Sequence, residues 1–151
     1  MKYDALLDEA NAEGISIKER PFKTYDGRIK GKDIYLRKDM NTTEKACVLA
    51  EELGHYYTSV GNIIDMDSSS NRKQERQARL WAYNKQIGLK GLIRAYEHGC
   101  TASHEIAESL DVTEEALQEC IEFYRDKYGE YKTVEHYIIF FIPHLAVLKK
   151  I

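Results

Sequence analysis

Ala50 to Ser59 reads AEELGHYYTS, and a helix over this stretch sets Glu51, Glu52 and His55 close together. Glu51 and His55 are four apart, the spacing at which two helical side chains stand one above the other and can share a ligand. A carboxylate and an imidazole so placed suit a divalent metal ion. Glu52 beside them, not coordinating, could act as a general base. Gly54 adds to the interest, because glycine costs a helix about 1 kcal/mol against alanine. Its missing side chain would let a strand or a substrate come close to His55. Against this stands the simpler reading that a glutamate and a histidine on a polar helix face are a solvated surface.

A third ligand is sought on a neighbouring element. In QERQARLWAYNK, Glu75 shares a face with Ala78 and Ala82, flanked by Trp81. A carboxylate on that apolar face must be ion-paired, hydrogen-bonded or bound to a metal; an arginine or the helix N-terminus is the ordinary partner. Glu75 follows His55 by twenty residues, enough chain to bring a second helix back over the first. Glu51, His55 and Glu75 would then be three ligands with a fourth position open for water, as catalytic zinc requires. His98, His104, His136 and His144 are alternatives to Glu75, none at a recognisable spacing from His55.

The elements that must position these groups follow from periodicity. Tyr3 to Ala12 reads as a helix closed by Glu13-Gly14, and Gly14 to Arg20 as a strand ended by Pro21. YDGRIKGKDIYLRKD reads as two strands around Lys30-Gly31-Lys32, with Ile29, Ile34 and Leu36 inward. Asn41-Thr42-Thr43-Glu44 is a capping-box start for the helix carrying the quoted stretch, which ends by Gly61-Asn62. On that helix Ala46, Leu49, Ala50, Leu53 and Tyr57 form the core stripe, Glu51 and His55 lie nearly opposite, and Glu52 lies between. A loop, DMDSSSN, leads to a helix from about Arg72 to Ile87. Further helices are expected over Leu89–His98, Ser103–Leu110 and Thr113–Tyr128. The tail TVEHYIIFFIPHLAVLKKI reads as two strands turning at Pro143-His144. The order is that of an α+β protein, one domain over residues 1–151.

Bulk composition narrows the function classes. A formal charge of −3 argues against a generic nucleic-acid binder. No apolar run reaches membrane-spanning length, and the acidic start MKYDALLDEA is not a signal peptide. Cys47, Cys100 and Cys120 form no C-x-x-C pair, which suits a reducing cytoplasm and core packing. HEIAESLDVTEEALQECIEFYRDKYG has a helix-turn-helix outline, but Thr113–Tyr128 holds five acids against Arg125 and Lys127 and would be repelled by phosphate. Arg72, Lys73, Arg76, Arg79, Lys85, Lys90 and Arg94 make a basic stretch, in the simplest reading a solvated face, that could also steer an acidic partner segment.

From the paired strands through EKACVLAEELGHYYTS to KQERQARLWAY, the chain resembles the ImmA/IrrE family of metallo-endopeptidases, found in phages and integrative elements. The resemblance implies a zincin-like fold: a small N-terminal sheet on the metal-site helix, a helical middle and a C-terminal β-hairpin. Such members carry H-E-x-x-H with an acidic ligand on a following helix. Here His55 matches the second histidine, Glu52 the catalytic glutamate and Glu75 the third ligand, while Glu51 stands where the first histidine would be. Two carboxylates bring more negative charge, which weakens Lewis acidity and moves preference from Zn²⁺, the first expectation, toward Mn²⁺ or Fe²⁺. The resemblance further implies a zinc-dependent peptidase of a prophage or mobile element, cleaving a helix-turn-helix repressor by metal-activated water with Glu52 as base. Tyr56 or Tyr57 is a candidate for the oxyanion, packing being simpler for Tyr57. The strand at Asp33–Arg37 could offer an edge to extended substrate. Two other readings stand beside this one: a non-catalytic repressor-binding protein on the same scaffold, and a DNA-binding protein through residues 103–128.

Overall fold

The computed structural model describes residues 2–59 and 68–151, an α+β architecture of six helices and six strands among those residues. It falls into two compact units, Met1–Lys85 and Gln86–Ile151.

The first unit carries α1 (Lys2–Ala12), β1 (Ser16–Arg20), β2 (Gly27–Lys30), β3 (Asp33–Arg37), α2 (Thr42–Thr58) and nearly all of α3 (Ser68–Gln86). The expected hairpin forms, with β2 antiparallel to β3 and Ile29 opposite Ile34. β1 then pairs parallel to β3 on its other side, giving the order β1-β3-β2. This corrects the expectation that Asp33–Arg37 offers an edge: β3 is central and hydrogen-bonded on both flanks, and β2 is the edge on the hairpin side. A hairpin signal fixes the partner on one flank only, and the parallel partner leaves no local mark. Period-two alternation then buries one face. Ile34 and Leu36 are fully covered, with Ile17 and Ile29 in the same row as Ile34, and they meet Leu49, Ala50 and Leu53 of α2 and Leu6 and Ala10 of α1 in one core.

α2 starts on the expected capping box: Asn41 Oδ1 accepts from the Glu44 amide at 2.8 Å, and Glu44 Oε1 accepts from the Asn41 amide at 3.1 Å. It closes at Thr58 with Ser59 as C-cap; the Gly61-Asn62 stop lies outside the described residues. Ala46, Leu49, Ala50 and Leu53 are buried as the stripe requires, but Tyr57 is 43% exposed. By the last turn the stripe has passed the core, and Tyr57 instead stacks on Trp81 at 5.2 Å. α3 starts earlier than expected, because Ser68–Asn71, the described half of the expected loop, is helical.

The second unit packs α4 (Gly88–Glu97), α5 (Ser103–Leu110) and α6 (Glu114–Tyr128) with a sheet of β4 (Tyr131–Val134), β5 (Tyr137–Phe140) and β6 (Ala146–Lys149). Leu92, Leu117, Cys120, Tyr124, Ile139 and Phe141 form its interior. The turn containing Pro143-His144 joins antiparallel β5 and β6, as expected. The sheet is not a two-stranded hairpin, however: β4 adds to β5 as a third strand. Its turn is made by Glu135 in the left-handed region (φ 53°), a position where sequence reading looks for glycine or asparagine.

Candidate metal centre

Two helices converge on the expected residues. Glu51, His55 and Glu75 each offer a ligand atom, and the three atoms lie within 4.8 Å of one another. His55 Nε2 is 3.0 Å from Glu75 Oε2. Two donors on one tetrahedral ion with bonds of about 2.0 Å stand about 3.3 Å apart, so the His55–Glu75 pair is spaced as two ligands of one divalent ion could be. Two carboxylates and an imidazole are also a donor set that such an ion accepts.

The approach of α3 to α2 depends on Gly54. A Cβ there would overlap the carbonyl oxygen of Ala78 and stand 3.0 Å from its carbonyl carbon. The glycine therefore admits a helix, not the strand or substrate foreseen from the sequence. Ala78 is fully buried at this crossing, and Glu75 lies one turn before it on the same side of α3. The small residues bring the backbones together; the crossing sets Glu75 over His55.

Glu52 is 9% exposed and so sits well inside the protein, deeper than its expected place between the two faces of α2. The cover comes from the sheet. Gly27, at the start of β2, lies in the row of Leu36 that faces α2; a Cβ on it would stand 2.5 Å from Val48 Cγ1 and 3.3 Å from Glu52 Cγ. Burial first, and the charge of Glu75 second, push the Glu52 carboxyl up to about 7. Glu51 is also pushed up to about 7, by burial and then by its hydrogen bond and repulsion with Glu75, against the pull of Arg79. For Glu75 burial raises the carboxyl, yet the Glu51 hydrogen bond, His55 and Arg79 together hold it below the usual range. Without an ion, Glu51 is therefore the member of the pair that keeps a proton near neutrality.

Sequence reasoning placed Glu75 on a buried face; its side chain is 41% exposed and paired. It also left Arg79 on a solvated surface. Arg79 Nε instead donates to Glu75 Oε1 at 3.2 Å and stands 3.5 Å from Glu51 Oε1. The signal was available, since Glu75 and Arg79 are four apart on one helix. Gly27 was missed as well; a glycine inside a strand pattern marks a close approach. His98, His104, His136 and His144 are exposed residues of the second unit and do not belong to this cluster. Tyr56 and Tyr57, the candidates for the oxyanion, meet edge to face at 5.1 Å.

Among the described residues, no helix is long and apolar enough to cross a membrane. A search of curated proteins found no match, and neither did one of solved structures. The family model of the IrrE N-terminal-like domain, of peptidase family M78, matches residues 10–122. That span includes Glu51, Glu52, His55 and Glu75, and the family brings with it metal-dependent, protease-like function and a protein substrate. Matched over most of its length, with a carboxylate–imidazole cluster able to take a metal on its two converging helices, the chain belongs to the ImmA/IrrE family of M78 peptidases.

Proposed function

We propose that this protein is a zinc-dependent, zincin-like endopeptidase of a prophage or mobile element, cytoplasmic, whose substrate is a helix-turn-helix repressor. The observation that carries the reading is the meeting of Glu51, His55 and Glu75 within 4.8 Å, with the buried Glu52 next along α2 and within electrostatic reach of Glu51 and Glu75. Residues 1–151 act as a single peptidase domain in this reading, since the family match runs across the boundary between the two units.

Glu51, His55 and Glu75 would hold the ion, with Mn²⁺ or Fe²⁺ as replacements for Zn²⁺. When bound, it supplies Lewis acidity toward a water molecule and a peptide carbonyl. Glu52 supplies the proton transfers: its carboxylate takes a proton from the attacking water and passes it to the leaving amine nitrogen. Its buried position suits a group that must carry a proton from one partner to the other. β2 runs past Glu52 and is the sheet edge on that side, so an extended substrate can add to it by backbone hydrogen bonds. The partly exposed ligands leave the cluster open to water and to such a strand.

The test is cleavage of a purified phage-type repressor by the zinc-loaded protein, followed by mass spectrometry of the fragments. Glu52→Gln should abolish cleavage with metal content intact; cleavage that survives removes Glu52 as the base. A second reading, a non-catalytic repressor-binding protein, draws on the placement of Arg79 against both carboxylates, which offsets part of their charge with no ion. It predicts a stable complex with uncut repressor.

A further inference from the structure

Resting on the reading that Glu51, His55 and Glu75 hold a divalent ion, we propose that Arg79 is a positioning residue and the built-in counter-charge of this donor set. Two carboxylates that are both ionised to hold an ion repel each other and present two negative charges. Arg79 reduces that total to one. The single Nε–H lies between the acids, 3.2 Å from Glu75 Oε1 and 3.5 Å from Glu51 Oε1. Guanidinium is charged at every working pH, so the compensation does not switch off.

The geometry also fixes orientation. The oxygens of Glu75 are divided between partners, Oε1 toward Arg79 and Oε2 toward His55 Nε2 at 3.0 Å. Oε1 thus faces the guanidinium, and Oε2 stands beside the imidazole. Arg79 comes from the turn of α3 after Glu75, so the same crossing that delivers the acid delivers its counter-ion.

A counter-charge has an unusual consequence. It weakens the attraction of the site for any cation, yet leaves a bound ion more electron-poor and so better at polarising a carbonyl. Removing it should therefore move affinity and activity in opposite directions. A merely structural arginine would lower both, and a solvated one would change neither.

The experiment compares wild type, Arg79→Gln and Arg79→Lys, with folding checked by circular dichroism, zinc affinity by competition calorimetry, and hydrolysis of the repressor at saturating zinc. Arg79→Gln should bind zinc about tenfold more tightly and hydrolyse about tenfold more slowly, an effect sized for a half-exposed charge near a divalent ion. Arg79→Lys keeps the charge and should stay near wild type in both readouts. Parallel loss of affinity and activity in Arg79→Gln overturns the proposal, as does no change in either. Should Arg79→Gln fail to fold, Arg79→Lys decides: a lysine variant that departs from wild type in zinc affinity overturns the counter-charge role. Wild-type protein that takes up no zinc overturns the metal reading itself, and this inference with it.

Discussion

Replacing Glu52 by glutamine changes one atom and removes a buried charge. In the metal-free protein the Glu52 carboxyl stands at about 7, against 4.5 for an ordinary glutamate. Burial is the main cause, and Glu75 adds to it. Below pH 4.5 both folded and unfolded chains hold the proton, so Glu52 imposes no penalty. Between 4.5 and 7 the unfolded chain releases it while the folded chain does not, and stability falls as pH rises. At 1.36 kcal/mol per pH unit, the shift costs wild type about 3 kcal/mol by pH 8. Glutamine never ionises and escapes that cost. Urea unfolding of both proteins in a chelator, from pH 4 to pH 8, should show the variant gaining on wild type by about 3 kcal/mol, nearly all between pH 4.5 and 7. Titrations elsewhere largely cancel in the difference. A difference that stays flat with pH, or turns in favour of wild type at pH 8, would refute the claim that Glu52 is a buried acid without a compensating cation.

Other substitutions probe the elements that build the site. Gly54→Ala should gain about 1 kcal/mol from helix propensity alone; because its methyl would meet the Ala78 carbonyl, we expect a loss of about 1–3 kcal/mol and weaker zinc binding, read by thermal melts with and without the ion. A variant as stable as wild type would mean that α3 does not cross there. Gly27→Ala places a Cβ against Val48 and Glu52 and should destabilise by about 1 kcal/mol; Val48→Ala in the same chain should relieve the clash, and double-variant losses that simply add would contradict the contact. Asn41→Ala removes the cap of α2 and should cost about 1 kcal/mol in urea unfolding. Zinc affinity should not change, since His55 is about 20 Å further along the helix.

The helices were legible because their signals are local. A capping box opens α2, Thr113 caps α6 and accepts from the Ala116 amide at 3.0 Å, and apolar spacing marks the buried stripe. The grouping of Glu51, His55 and Glu75 was legible for a related reason: four residues on one helix fix Glu51 against His55, and Glu75 lies on the Ala78 side of α3, which meets α2 at Gly54. What escaped was set by contacts distant in sequence. The parallel partner of β3, the cover that β2 lays over Glu52 and the helix crossing at Gly54 each depend on where another element lands. Arg79 was overlooked for a different reason. Seven basic residues read as a surface stripe, and only the crossing angle of α3 selects the one that turns toward Glu51. The third strand of the C-terminal sheet was hidden by a turn that uses Glu135 in place of glycine.

The central claim is that one imidazole and two carboxylates on α2 and α3 grip a single divalent ion. Elemental analysis of the protein purified without chelators, beside His55→Ala and Glu75→Gln, addresses it directly. The account predicts about one equivalent of zinc per wild-type chain, one ion to one ligand trio, and almost none in either variant. Metal-free wild type, or a full equivalent retained by His55→Ala, would contradict it.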